Sequence, residues 1–243
     1  MWMADLRAVT FSSSSVLRVV RPAALRCAAR DALADLGSSA PLPSFEEDWS
    51  RYESERARRR WEDQVEVPIE SVVPRTAAPW PNESFATAVA DRFGDSLEWQ
   101  GDVLPALDYL REAGFRTVLL ADLPVPLSRA WQERSKPWFD EVVTSRDLAR
   151  RTPDPAAFHE TLRRLRIGPH GLLHVGAGIV EDVHAAKALQ MRAALLERFG
   201  RPPPDPEAVA WLRRVHGLDA ATVTPDLRLG SLEDLPFALD AFA

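Results

Sequence analysis

The chain has 243 residues, of which 46% are hydrophobic and 27% are charged. This balance supports a packed core and argues against global disorder. The formal net charge of -6 gives no electrostatic basis for binding nucleic acid, which attracts basic surfaces. The single cysteine, Cys27, excludes an intramolecular disulfide and a cysteine-based metal cluster.

The sequence also lacks the signals of a secreted or membrane protein. No charged N-terminal region precedes a long apolar run, so we expect no signal peptide. No segment approaches the roughly 20 apolar residues that a membrane-spanning helix requires. We therefore expect a cytoplasmic protein that has no membrane partner.

Short β-prone runs alternate along the chain with segments of helical spacing. Strands are predicted at residues 6–11, 115–120, 141–144, 171–175, 192–196 and within 229–236. Helices are predicted at residues 22–36, 45–65, 83–93, 103–113, 155–165 and 207–215. A further helix is predicted between the strand at residues 171–175 and about residue 189. This alternation predicts an α/β fold, with a doubly wound parallel sheet covered by helices on both faces.

Four segments at the ends of these strands carry polar or small residues. They are Ser12 and Ser14, then Ala121 with Asp122, then Thr152 before Pro153-Asp154-Pro155, then Gly176 and Ala177 with Asp182. In this order and spacing the segments resemble the haloacid dehalogenase (HAD) superfamily, and most closely its subgroup with an inserted helical cap. The resemblance covers about residues 5–198. It implies a HAD-like Rossmannoid core at residues 1–17 and 99–243 and a helical cap domain at residues 18–98.

The resemblance implies that the first segment has lost two catalytic carboxylates. Ser12 occupies the place of the family's nucleophilic aspartate, and Ser14 occupies the place of its acid/base aspartate. A hydroxyl is not ionised near neutral pH and needs a neighbouring base before it can attack. Ser14 is not a base, and the sequence displays no other base near the serines.

The other segments also depart from the family pattern. Ala121 stands where the family has serine or threonine, and Thr152 stands where it has a lysine. Ala177 replaces one magnesium-binding aspartate, so Asp182 is the only retained ligand of the family set. A hard cation held by one protein carboxylate binds weakly. We therefore expect no metal and no other cofactor, although Mg²⁺ is the family cofactor.

These losses predict a pseudoenzyme, because removing several elements of one mechanism leaves essentially nothing of its rate enhancement. The leading hypothesis is a catalytically inactive HAD-like protein that regulates or scaffolds through a protein partner or a homodimer contact. One alternative is a module that senses phosphate or a phosphorylated small molecule in the vestigial pocket. Another is a HAD-family phosphatase or hydrolase with altered chemistry, which requires a new base.

The predicted residues of this vestigial pocket are Ser12, Ser14, Ala121, Asp122, Arg151, Thr152, Ala177 and Asp182. Asp182 either remains a metal ligand, or it caps the helix after the fourth strand or bonds the first loop. Asp122 is either a displaced acid or a turn-capping residue. The serines form either an anion site together with Arg151 or a solvated loop. The arginine run at residues 58–60 is interpreted as a solvated face, and His184 as a residue at the surface or facing the cap.

Overall fold

The computed structural model of the chain describes residues 6–19, 24–35, 42–68, 71–72, 83–94, 97–123, 131–198 and 203–240. Its eight strands are β1 (Ala8–Ser12), β2 (Leu17–Val19), β3 (Leu97–Trp99), β4 (Arg116–Ala121), β5 (Glu141–Thr144), β6 (Leu172–Gly176), β7 (Arg192–Leu196) and β8 (Leu227–Leu229). Six of them form one sheet in the order β5-β4-β1-β6-β7-β8, and every pair is parallel. The other two, β2 and β3, form a separate antiparallel ribbon.

The described helices include short turns and long segments. They are α1 (Ser13–Val16), α2 (Ala24–Asp35), α3 (Leu42–Glu62), α4 (Glu83–Gly94), α5 (Val103–Glu112), α6 (residues 131–135), α7 (Ser145–Leu148), α8 (Ala156–Leu165), α9 (Ala185–Ala188), α10 (Pro206–His216) and α11 (Leu235–Asp240). A π-helical turn at Ile179–His184 leads directly into α9. Across these ranges, no helix combines the length and the apolar character needed to cross a membrane.

The sheet is buried on both faces, as its continuous hydrophobic strands require. Val118 and Leu120 of β4 belong to one apolar cluster, to which α8, α9 and α10 contribute. Leu119, between them, belongs to a second cluster formed with α5 and α11. Successive side chains of a strand point to opposite faces, so this alternation places helices on both sides. The predicted doubly wound parallel α/β fold is confirmed.

Local sequence signals account for the ends of several helices. At α10, the side chain of Asp205 accepts a hydrogen bond from the backbone N–H of Glu207 at 2.9 Å, and Pro206 is the first helical residue. Proline suits this position because its missing N–H would have no helical partner. Gly217 ends the helix with a φ of 66°, a conformation that glycine adopts without strain.

Helices α2, α3 and α4 lie between the two strands of the β2–β3 ribbon in the chain, and we call them the α2–α4 insert. They share an apolar cluster of their own, which includes Ala29, Tyr52 and Phe85. The far end of α3 packs on the main sheet instead, where the ring of Trp61 lies 5.8 Å from that of Trp211. The long helix therefore joins the insert to the sheet. The division into a core and a cap domain at residues 18–98 stays a prediction.

The structure differs from the predicted elements at a few places. Helix α3 begins at Leu42 and ends at Glu62, so it starts and ends three residues before the helix predicted at residues 45–65. The helix predicted up to residue 189 is a π-helical turn followed by one α-helical turn. The last strand, β8, ends at Leu229, where the segment predicted to contain it begins, and that segment instead forms a 3-10 turn at Leu232–Asp234 and the start of α11. Helix α11 and the β2–β3 ribbon were not predicted. The proline-rich stretch before residue 82 lies mostly outside the described residues.

Candidate functional site

A cavity of about 460 Å³ lies at the carboxyl edge of the sheet, between the strand ends and α3. All eight residues of the predicted pocket line it: Ser12, Ser14, Ala121, Asp122, Arg151, Thr152, Ala177 and Asp182. The parallel register explains this convergence, because Ser12 pairs with Leu120, one residue before the end of the neighbouring strand. Binding sites of open α/β sheets lie at this edge, and the cavity has the volume of a small-molecule site.

The serine segment is anchored to the sheet. Ser12 ends β1, and its Oγ lies 3.1 Å from Oγ of Ser14. Ser15 is fully buried and its hydroxyl donates to the carbonyl oxygens of Ser12 at 2.7 Å and Val175 at 3.3 Å. The interpretation as a solvated loop is therefore wrong for this segment, in which only Ser14 is exposed.

Asp182 joins the serine segment to the fourth strand end. Its Oδ2 accepts hydrogen bonds from the Ser12 hydroxyl at 3.5 Å and from the Gly178 N–H at 2.8 Å. Its Oδ1 lies 3.2 Å from Nε2 of His174, which is fully buried. A Cβ atom at Gly176 would overlap the Asp182 side chain, so only glycine leaves room for this arrangement. The interpretation that Asp182 bonds the first loop is confirmed.

The order of these groups does not match a nucleophilic serine site. In a serine–histidine–aspartate triad the imidazole contacts the hydroxyl and removes its proton. Here the carboxylate of Asp182 contacts Ser12, and the imidazole of His174 lies on the far side of that carboxylate. The other ring nitrogen of His174, Nδ1, lies 2.8 Å from the Thr10 hydroxyl inside the sheet. His174 is thus a packed, hydrogen-bonded core residue.

The residues at the family's metal position do not fit Mg²⁺. Ser12 supplies a neutral hydroxyl, and Ala177 supplies no ligand atom. Both oxygens of Asp182 already accept hydrogen bonds, from His174, Gly178 and Ser12. Magnesium requires near-octahedral oxygen coordination, usually with one or two free carboxylates. Within the described ranges no group of three or more His, Cys, Asp or Glu side chains is arranged to hold a metal ion.

Three arginines, which we call the arginine cluster, surround the carboxylate of Asp122. Oδ1 of Asp122 accepts from Nη2 of Arg56 at 2.6 Å and from Nε of Arg151 at 2.9 Å. Oδ2 accepts from Nη2 of Arg60 and from Nη2 of Arg151, the latter at 3.3 Å. Among the described residues, the hydrogen bonds that the Asp122 carboxylate accepts come from these three guanidiniums. A role of Asp122 in capping the following turn stays a prediction, because residues 124–130 lie outside the described residues.

A second buried carboxylate, Glu66, completes this network. Its two oxygens accept from Nε and Nη2 of Arg56 at 2.7 and 2.9 Å, in a bidentate pair. The hydroxyl of Ser145, at the start of α7, donates to Oε2 of Glu66 at 2.5 Å. The Glu66 side chain is only 2% exposed and that of Arg56 9%. These charges therefore fix the end of the α2–α4 insert to the sheet domain through buried contacts.

Two carboxyl groups of the cavity have opposite electrostatic environments. Burial alone would raise the pKa of Asp122, but the charges of Arg60, Arg56 and Arg151 outweigh it and hold this pKa well below its usual range. Burial, together with the neighbouring Asp182, raises the pKa of Glu181. A cavity carboxyl with a raised pKa is a candidate proton donor or acceptor. Sequence reasoning missed Glu181 because it stands outside the family motifs.

The structure also changes the interpretation of two other sequence features. The run at residues 58–60 is solvated at Arg58, but Arg60 turns into the cavity and pairs with Asp122. The spacing of Arg56 and Arg60, four residues apart on one helix face, was the available signal. His184 is buried rather than at the surface or facing the cap, and its ring lies 6.3 Å from that of Trp211 of α10.

Comparison with known proteins agrees with this fold. The family model of the haloacid dehalogenase-like hydrolases matches residues 16–190. The chain therefore belongs to this family, and the resemblance inferred from its four segments is confirmed. The 2-haloacid dehalogenase from Pseudomonas syringae pv. Tomato DC3000 matches 98% of this chain and 100% of its own, with a TM-score of 0.66 and 22% identity. A likeness at this identity shows the fold alone.

Two curated relatives match part of the chain. Glyceraldehyde 3-phosphate phosphatase of Methanopyrus kandleri is 30% identical over 102 residues, which are 40% of this chain and 42% of that protein. Haloacid dehalogenase-like hydrolase domain-containing protein 3 of Xenopus laevis is 27% identical over 134 residues, which are 53% of this chain and 52% of that protein. The matched part spans about half the length of these relatives.

Proposed function

We propose that this family member is a binding protein that has lost the aspartate-based phosphoryl transfer of the HAD mechanism. One observation carries the proposal: a cavity of about 460 Å³ lies at the carboxyl edge of the sheet, while serines occupy both catalytic aspartate positions, Ser12 and Ser14. A phosphatase of this type forms an aspartyl phosphate, and neither hydroxyl can replace that carboxylate without a base. The phosphatase activity in the name of the Methanopyrus relative is therefore not proposed for this chain.

A small molecule in the cavity is the ligand that the geometry favours. The cavity falls in the usual size range of ligand sites, roughly 300–1,000 Å³, and it combines apolar walls with hydroxyl and charged groups. Protein contacts, with a partner or a second copy, remain a prediction of the sequence. In the described part of the chain the exposed large apolar side chains are Val215, Leu218 and Phe237. They lie on two different segments, and scattered apolar residues of this kind are ordinary on a surface.

Altered hydrolytic chemistry is the second candidate, and Glu181 is the observation in its favour. This carboxyl lines the cavity with the serines, and burial raises its pKa, which is the direction that favours a general acid or base. In this case turnover would depend on Ser12 and Glu181 together. The candidate predicts that Ser12→Ala and Glu181→Gln each abolish turnover.

A restoration test examines the loss of catalysis. We would compare hydrolysis of an aryl phosphate and of a phosphometabolite panel, with Mg²⁺, by the native chain and by Ser12→Asp/Ser14→Asp/Thr152→Lys/Ala177→Asp. We expect no turnover by the native chain and measurable turnover by the restored variant. Native turnover that Ser12→Ala abolishes would overturn the proposal and favour the altered chemistry.

A binding screen examines the function that we propose in its place. Thermal shifts of the native chain against a small-molecule panel should include at least one stabilising compound. Ala177→Trp is the matched control, since Ala177 is exposed and lines the cavity, so that an indole there fills it. A compound that stabilises both proteins equally does not bind in the cavity, and a panel with no selective compound would count against the proposal.

A further inference from the structure

The carboxylate of Asp122 is bound in the way that proteins bind a foreign oxyanion. It accepts four hydrogen bonds from three guanidinium groups, two at each oxygen. Four is the full acceptor capacity of a carboxylate. Arginine forks of this kind are the common recognition device for carboxylate and phosphate groups, because the planar guanidinium matches their geometry.

This arrangement faces the cavity rather than the interior of the sheet domain. Asp122 and all three members of the arginine cluster line the cavity wall. The Asp122 side chain retains 14% exposure and that of Arg60 23%. A small solute in the cavity can therefore reach the place that the Asp122 carboxylate occupies.

The charges of the cluster are not fully balanced by the carboxylates that bond to it. Among the described residues, three guanidiniums form hydrogen-bonded ion pairs with two carboxylates, those of Asp122 and Glu66. Nε of Arg60 is buried and has no hydrogen-bond partner in this part of the chain. Without the Asp122 carboxylate, Glu66 would be the only carboxylate bonded to these three guanidiniums in the described part of the chain, and uncompensated buried charge costs free energy, so the cluster requires an anion at this place.

We propose that Arg56, Arg60 and Arg151 form an anion subsite of the cavity, which the chain fills with its own Asp122 carboxylate. A free carboxylate or phosphate group binds to this subsite only where the Asp122 carboxylate is absent. In the native cavity the Asp122 side chain therefore occupies the place at which the anionic group of a ligand would bind these guanidiniums. The sequence suggested Arg151 as a ligand for an anion. Its Nε and Nη2 already donate to Asp122, and its Nη1 donates to the carbonyl oxygen of Arg56 at 2.5 Å.

This inference rests on the proposed function only in treating the cavity as a ligand site. The subsite can be tested without knowing the ligand, by replacing the missing side chain with a soluble anion. Asp122→Ala removes the carboxylate and leaves space for formate, whereas Asp122→Asn keeps the shape of the side chain and fills that space. Both variants and the native chain would be melted in formate, in phosphate and in chloride of equal ionic strength.

Formate and phosphate should raise the melting temperature of Asp122→Ala well above its value in chloride, and should leave the native chain and Asp122→Asn unchanged. The apparent affinity of Asp122→Ala for formate should exceed that of the native chain by about tenfold or more, since charge-assisted hydrogen bonds of this type each contribute a comparable factor. Adding Arg60→Gln to Asp122→Ala should remove most of this gain, because one of the three guanidiniums is then lost.

If Asp122→Ala does not fold in chloride, circular dichroism in increasing formate gives the same answer, since an anion that fills the subsite should restore the folded signal. Equal responses of Asp122→Ala, Asp122→Asn and the native chain would overturn the inference, as would an Asp122→Ala chain that no anion stabilises. A negative small-molecule screen of the native chain would contradict the proposed function and leave this result unaffected.

Discussion

Replacing Glu66 by glutamine should destabilise the fold strongly, although it only exchanges one carboxylate oxygen for an amide nitrogen. The Glu66 side chain is 2% exposed, and its oxygens accept from two nitrogens of Arg56 and from the Ser145 hydroxyl. Removing one charge of a buried, hydrogen-bonded pair typically costs about 3–5 kcal/mol, because the partner charge stays buried. Glutamine retains one acceptor oxygen, so we expect the lower end of this range, about 3 kcal/mol.

Urea unfolding, followed by far-ultraviolet circular dichroism, would measure this loss from the midpoint at unchanged slope. A loss of about 3 kcal/mol corresponds to a fall in Tm of about 6–12 °C for a chain of this size, at roughly 2–4 °C per kcal/mol. Glu62→Gln is the matched control, since Glu62 ends α3, the helix that carries Arg56, and pairs with Arg58 at the surface, where the Glu62 side chain is 51% exposed. Exposed pairs contribute about 0–1 kcal/mol. Equal losses in the two variants would refute the reasoning that the buried network fixes α3 to the sheet domain.

Acidification should destabilise the fold through His184, because burial lowers the pKa of this imidazole below its unfolded value of about 6.5. The unfolded chain then binds the proton first, so the free energy of unfolding decreases as the pH falls below about 6.5. Urea titrations at several pH values should show a smaller decrease for His184→Gln than for the control His170→Gln, which changes an exposed histidine. Alanine at Gly176 would overlap the Asp182 side chain, and we expect a loss of about 1–3 kcal/mol. Gly101→Ala, where no described atom lies within 4 Å of the added methyl, should change stability far less, and similar losses would contradict this account of Gly176.

The sheet and the membership of the cavity could be predicted from the sequence, because both depend on local patterns. Short apolar runs bounded by turn residues specify buried parallel strands, and residues at the carboxyl ends of neighbouring strands must meet at one edge. This is why Ser12, Ala121 and Ala177, distant in the chain, line one cavity, which Thr152 reaches from the loop after α7. The loss of the family's acidic residues is likewise visible in the sequence, since each position is identified by its place after a strand.

The charges of the cavity were decided only by the tertiary structure. An arginine on an amphipathic helix is ordinarily solvated. The shared helix face of Arg56 and Arg60 indicates that the two act together, but not that a carboxylate 62 positions from Arg60 lies beside them. The same holds for Asp122, whose sequence context suggests a turn and whose partners come from two other segments. Ion pairs depend on distances through space, and the packing of α3 across the strand ends sets those distances. Strand periodicity therefore determined where the cavity lies, and the position of α3 determined which charges surround it.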